Sequence, residues 1–167
     1  MPDAVDAIVA QWRRERPDLD HAPIEVFGRL VRGGRLAEAR QDVVFARFGL
    51  TGPDYDILAT LRRSGRPYRL TPTALRRTAM VSSGGMTKRI DRLERLGHVR
   101  RVADPGDRRS VLVELTTGAH ALLDDIVVAH LENEEAMLAS LDARQRAAVV
   151  DALRDLLAAL EDRPGVS

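Results

Sequence analysis

Between residues 81 and 116 the apolar period of the chain changes from helical to strand-like, and this change limits the possible folds more than any other feature. In VSSGGMTKRIDRLERLG (81–97), residues on a helix turn by roughly 100° each. With Met86 at zero, Ile90 falls about 40° to one side, and Leu93 and Leu96 about 20° and 80° to the other. These four residues make one apolar stripe. After Gly97, HVRRV alternates and ADPGD carries turn chemistry. RRSVLVELT then alternates again, with Val111, Val113 and Leu115 on one side. A helix followed by a two-stranded hairpin is expected.

The segments around it read as helices. AVDAIVAQWRRER (4–16) is a short amphipathic helix closed by Pro17. Residues 22–49 form a long helical pattern ending at Gly49, with Gly33-Gly34 as a weak point or a close-packing spot. Thr51 and Pro53 open the next helix, DYDILATLRR, and SGRPYRL is expected to be a loop. Thr71-Pro72 starts a short helix, and Ser82 or Ser83 is expected to cap the basic helix that follows. Thr116 or Thr117 caps a helix through about Met137, and Asp142 caps a last one. Short helix, turn, basic helix and hairpin is the winged helix-turn-helix arrangement. The expected fold is therefore mainly α with a small β-hairpin wing. It divides into N-terminal helices (1–50), a winged helix-turn-helix (51–116) and C-terminal helices (117–167).

Charge is distributed unevenly along this plan. The 167 residues carry a net charge of only +1, yet Arg62 to Arg109 holds fourteen Lys/Arg against four Asp/Glu, and the remainder twelve against twenty-one. A basic middle between acidic ends is the electrostatic footprint of a nucleic-acid reader. The chain has no cysteine, which excludes disulfides, thiolate metal sites and a cysteine redox switch. The N-terminus carries early acids and no apolar core, unlike a signal peptide. No stretch approaches the roughly 18 apolar residues of a membrane span. A cytoplasmic, nucleoid-associated protein is expected.

The face of the basic helix opposite its stripe carries Gly84, Thr87, Lys88, Asp91 and Arg95, with Arg92 at the edge. Gly84 and Gly85 allow the backbone to approach DNA closely. Ser82, Ser83 and Thr87 suit phosphates or base edges, and Lys88 or Arg95 suits guanine. Asp91 is expected to pair with Arg95 one turn on. At the hairpin tip Pro105 and Gly106 make the turn, and Arg108 and Arg109 are placed to reach the minor groove or phosphate. Asp104 and Asp107 either hold those arginines or cap the turn.

LTPTALRRTAMVSSGGMTKRIDRLERLGHVRRVADPGDRRSVLVELTTGA (70–119) resembles the DNA-binding core of MarR-family transcriptional regulators, most specifically in the wing motif Asp104-Pro105-Gly106-Asp107-Arg108-Arg109. The resemblance extends over residues 4 to about 160. It implies a homodimer whose first and last helices interleave, presenting two recognition helices to a palindromic operator about one DNA turn apart. AIVAQWRRERPDLD and SSGGMTKRIDRLERLG further resemble the urate-responsive (HucR/PecS/MftR-like) branch, which carries an extra N-terminal helix.

One residue does not fit the DNA-reading plan. Arg89 lies at about −60°, between Leu93 and Leu96 on the apolar side, and a buried arginine must be paired. The branch resemblance implies a ligand pocket at Trp12, Asp56, Arg89 and Arg101. Asp56 lies beside the Ile57/Leu58/Leu61 stripe, where it can face inward to neutralise Arg101 and Arg89. An anionic ligand stacked near Trp12 would then accept bidentate hydrogen bonds from the arginines and release the DNA. Urate, a related purine or a carboxylate such as aconitate fits that chemistry. The alternatives are a winged-helix DNA binder without ligand sensing, and fixed structural roles for these four residues. Nothing points to an enzyme or a cofactor. His21, His98, His120 and His130 lack metal-ligand spacing, and SSGG is neither a nucleophile elbow nor a phosphate loop.

Overall fold

The computed structural model describes residues 2–79, 85–107 and 110–162. In chain order the elements are α1 (Ala4–Glu15), α2 (Ala22–Ala46), α3 (Gly52–Arg63), β1 (Arg69–Leu70), α4 (Pro72–Thr78), α5 (Met86–Arg95), β2 (Val99–Ala103), β3 (Val111–Leu115), α6 (Thr117–Met137) and α7 (Ala143–Glu161). This is a mostly helical fold with one small antiparallel sheet. Two compact units are distinguished, Met1–His130 and Leu131–Ser167. Among the described residues no helix is long and apolar enough to cross a membrane.

Local chemistry sets the helix starts. Asp3 caps α1 through Val5 N–H and Asp6 N–H, and Asp6 returns the bond to Asp3 N–H. Thr51 and Asp54 form the same reciprocal box at α3, with Pro53 in the first turn. Thr71 caps α4, Thr116 Oγ accepts from Ala119 N–H at 3.3 Å, and Asp142 boxes with Gln145 at α7. The basic helix departs from expectation. It begins at Met86 with Gly85 as N-cap, and among the described residues no side chain caps it; Ser82 and Ser83 lie outside the described residues. Gly85 has φ of +84°, a left-handed conformation that side chains with a Cβ adopt only under strain. α2 runs unbroken through Gly33-Gly34, and a Cβ at either would meet nothing within 4 Å, so neither expectation for that pair holds within the chain. The close approach is instead at Gly28, where a Cβ would lie 2.8 Å from Val5 Cγ1.

The sheet has three strands in the order β1-β3-β2. β2 and β3 form the expected hairpin, with Val99 opposite Leu115 and Arg101 opposite Val113. β1, inside the segment expected to be a loop, pairs Arg69 with Glu114 and Leu70 with Val113. Two residues are too few for strand alternation to register in sequence. Val113 and Leu115 are buried as expected, whereas Val111, beside the wing turn and beyond the core, is exposed. The core of the first unit joins Phe45 and Leu50 to Ile57, Leu58 and Leu61 of α3, Leu75 of α4, Met86, Ile90 and Leu93 of α5, the strands, and Leu123 and Ile126 of α6. Leu96, the fourth residue of the expected stripe, sits at the C-cap of α5 and is exposed. In the second unit, Arg146 braces the turn between helices, reaching both Glu135 carboxylate oxygens at 2.8 Å and the carbonyls of Leu138 and Leu141.

Candidate nucleic-acid interface

Burying Met86, Ile90 and Leu93 turns the opposite face of α5 to solvent, and Thr87, Lys88, Asp91 and Arg95 are all exposed there. A cleft of about 380 Å³ separates the start of α5 from α4, lined by Pro72, Arg76, Gly85, Met86, Thr87 and Lys88. Two cationic side chains and a hydroxyl therefore converge where the two helices of the helix-turn-helix meet. Arg76 donates to Thr73 Oγ at 3.4 Å from within this cleft. Sequence reasoning missed Arg76, because a seven-residue helix is too short to reveal its faces and Arg76-Arg77 reads only as net charge.

Asp91 pairs across to β2 rather than along the helix. Its carboxylate accepts from Arg101 Nη2 at 2.5 Å, and Glu94 holds both the other Nη and, at 3.0 Å, the Arg101 backbone N–H. The expected Asp91–Arg95 pair is thus replaced by an Asp91–Arg101–Glu94 cluster that ties the wing's first strand to the recognition helix. The hydrogen bond that Arg101 donates to Asp91, with Glu94 adding to it, holds the Arg101 guanidinium charged more firmly than usual. Arg101 is neutralised by these two carboxylates and not by Asp56.

Arg92 also departs from expectation. It reaches back to the α2–α3 junction, with one Nη on Asp54 Oδ2 and the other 2.9 Å from the Gly49 carbonyl. Asp54 is buried and already accepts from Thr51 N–H at 3.0 Å and Thr51 Oγ at 2.7 Å. Arg92 is thereby committed to Asp54 and Gly49, at the edge of the exposed Thr87/Lys88/Arg95 face. His98 lies near this pair, and burial first, then the Arg92 charge, push its pKa below the usual 6.5.

The four residues matched to a ligand pocket have the following surroundings. Trp12 is half exposed on α1. Asp56, largely buried on α3, pairs with Arg63 at 3.7 Å. Arg89 is half-buried and lines a cleft of about 290 Å³ with Thr51, Asp54, Gly85, Lys88 and Arg92. Its Nε is buried, with no hydrogen-bond partner among the described residues. Trp12, Asp56 and Arg101 do not line that cleft. At the wing, Asp104 accepts from Gly106 N–H at 2.8 Å, which is turn capping. Ser82, Ser83, Gly84, Arg108 and Arg109 lie outside the described residues.

Residues 48–110 match the model of the MarR family. The chain is 42% identical over 142 residues to the HTH-type transcriptional regulator PecS of Dickeya dadantii, covering 85% of this chain and 86% of PecS. It is 35% identical over 107 residues to the multiple antibiotic resistance protein MarR of Escherichia coli, covering 60% of this chain and 72% of MarR. Among solved structures, that of Bordetella bronchiseptica BpsR, described as regulated in DNA binding by 6-hydroxynicotinic acid, superposes with a TM-score of 0.72 at 24% identity. It covers 83% of this chain and 96% of BpsR. The chain belongs to the MarR family of transcriptional regulators, with PecS among its relatives.

Proposed function

We propose that the protein is a repressor that binds a palindromic operator on double-stranded DNA as a homodimer and is released by a small anionic ligand such as urate. It would act in the cytoplasm, associated with the nucleoid. The observation that carries the DNA reading is the exposed polar face of α5, where Thr87, Lys88 and Arg95 stand opposite the buried Met86, Ile90 and Leu93. In the major groove Lys88 or Arg95 would read guanine, and Thr87 would take a phosphate or base edge. Arg76 would neutralise a phosphate from α4. Ser82, Ser83 and Gly84 ahead of the helix, and Arg108 and Arg109 in the wing segment, are the further contacts expected from sequence. Residues 1–50 and 117–167 would supply the dimer, and residues 51–116 the DNA-binding part.

The ligand reading rests on Arg89, whose buried Nε has no partner among the described residues and which is carried on the recognition helix itself. An anion bonded to Arg89, with Trp12, Asp56 and Arg101 as the other pocket residues, would shift α5 relative to the operator. A preference of about 100-fold for the DNA-incompetent state, roughly 2.7 kcal/mol, is enough for release. A second reading, regulation of DNA without this pocket or through another metabolite such as aconitate, is favoured by the full pairing of Arg101 with Asp91 and Glu94. Thermal-shift titration with urate, xanthine, hypoxanthine, aconitate and citrate, beside binding to the protein's own upstream DNA, separates the two. A ligand at 100 times its Kd adds about 2.7 kcal/mol of stability. Stabilisation with loss of DNA binding, abolished in Arg89→Ala or Trp12→Phe, supports the switch. Release by aconitate or citrate and not by the purines, or DNA binding insensitive to all five compounds, supports the second reading.

A further inference from the structure

We propose that Arg92 is a positioning residue, a strut that fixes the angle of the recognition helix by tying it to the α2–α3 junction instead of touching DNA. This rests on the reading of α5 as the element that enters the groove. One side chain, leaving α5 in its last turn, spans two other segments: Asp54 in the first turn of α3 and the Gly49 carbonyl in the turn that closes α2. Both anchor points are fixed independently. Asp54 Oδ2 is held in the capping box by the Thr51 amide and hydroxyl. The Gly49 turn is closed by Gly49 N–H to Ala46 O at 3.1 Å and Leu50 N–H to Phe45 O at 3.1 Å.

The buried stripe of Met86, Ile90 and Leu93 decides which face of α5 meets the core, but hydrophobic burial is non-directional and leaves the finer angle of the helix loosely set. A planar guanidinium bonded at two points sets rotation about the helix axis, and with it the direction in which Thr87, Lys88 and Arg95 point. Asp54 is 1% exposed, so no nucleic acid reaches it, and the Arg92 side chain, 37% exposed, commits both of its terminal nitrogens to Asp54 and the Gly49 carbonyl.

The test uses the full-length protein with Arg92→Gln, Arg92→Lys and Asp54→Asn. Hydrogen exchange of the α5 amides is read without DNA and should accelerate in all three, because lysine presents a point charge and not a fork. Unchanged α5 exchange in Arg92→Gln and Arg92→Lys overturns the strut. Affinity for the upstream palindrome should fall about tenfold or more in each variant, within the 5–150-fold range of typical intramolecular couplings. The slope of log affinity against log salt should stay at the wild-type value, because no phosphate contact is lost. A direct phosphate contact predicts a slope reduced by about one in Arg92→Gln, rescue by Arg92→Lys, and wild-type binding by Asp54→Asn. That pattern also overturns the strut. If α5 exchange accelerates in the variants while the wild type binds no DNA, the strut stands and the DNA reading fails.

Discussion

His98 shows how a single residue reports on its surroundings. It sits at the exit of the recognition helix, its N–H on Leu93 O and its carbonyl taking Thr116 N–H, so the ring is held beside Arg92 and Asp54. Burial is the larger cause of its lowered pKa and the Arg92 charge the second, while Asp54 acts in the opposite direction. The folded protein thus binds this proton less readily than the unfolded chain. The resulting stability is fully present above the unfolded value of about 6.5 and is lost as pH falls through the lower folded value. An NMR titration of the His98 ring should give a midpoint below 6.5. Arg92→Gln should raise it, because a repelling cation is removed and Asp54 is left to favour the charged ring. A midpoint unchanged by Arg92→Gln would show that the guanidinium does not sit where the strut requires.

At the scale of the element, α2 contains two kinds of glycine that look alike in sequence. Gly28 is pressed against buried Val5 of α1, so Gly28→Ala overpacks that contact and should cost about 1–3 kcal/mol. Gly33 and Gly34 face open space within the chain, so Gly33→Ala and Gly34→Ala should each stabilise α2 by about 0.4–1 kcal/mol. Urea unfolding of the three variants checks both signs. A destabilising Gly33→Ala or Gly34→Ala would locate there the helix–helix approach between subunits. The sequence showed only that glycines interrupt a helical pattern, because what a missing Cβ faces is decided by another element. The same limit applies across the site. Helix periods, the caps of α3, α4, α6 and α7, and the wing hairpin were legible because they depend on neighbours within a turn or two. The exposed Thr87/Lys88/Arg95 face was legible for the same reason. Arg92 to Asp54, Arg101 to Asp91 and Glu94, and the pairing of β1 with β3 join residues far apart in sequence or too few to carry a period, and local spacing does not reveal them.

For the whole molecule, the strongest demand comes from apolar surface that one chain leaves uncovered. None of the residues of α7 is buried within the chain. Val149, Val150, Leu153, Leu157 and Leu160 recur at three- and four-residue spacing and are all exposed, as are Val26, Phe27, Leu30 and Val31 on α2. Burying a leucine or valine of this kind contributes roughly 1.5–3 kcal/mol, and stripes at helical spacing are what a second helix packs against. The acidic ends and basic middle agree with this division, because helices that meet a second copy need not attract nucleic acid. The homodimer proposed above therefore predicts that Leu153→Asp abolishes self-association without unfolding the chain, since Leu153 is not buried within it. Light scattering should report a monomer, with helical circular dichroism close to wild type. That monomer carries one recognition helix and should lose most of its affinity for the palindrome, because the second half-site is no longer held at high effective concentration. A Leu153→Asp protein that scatters as the wild-type dimer would remove α7 from the interface and leave the exposed face of α2 as the surface to test next.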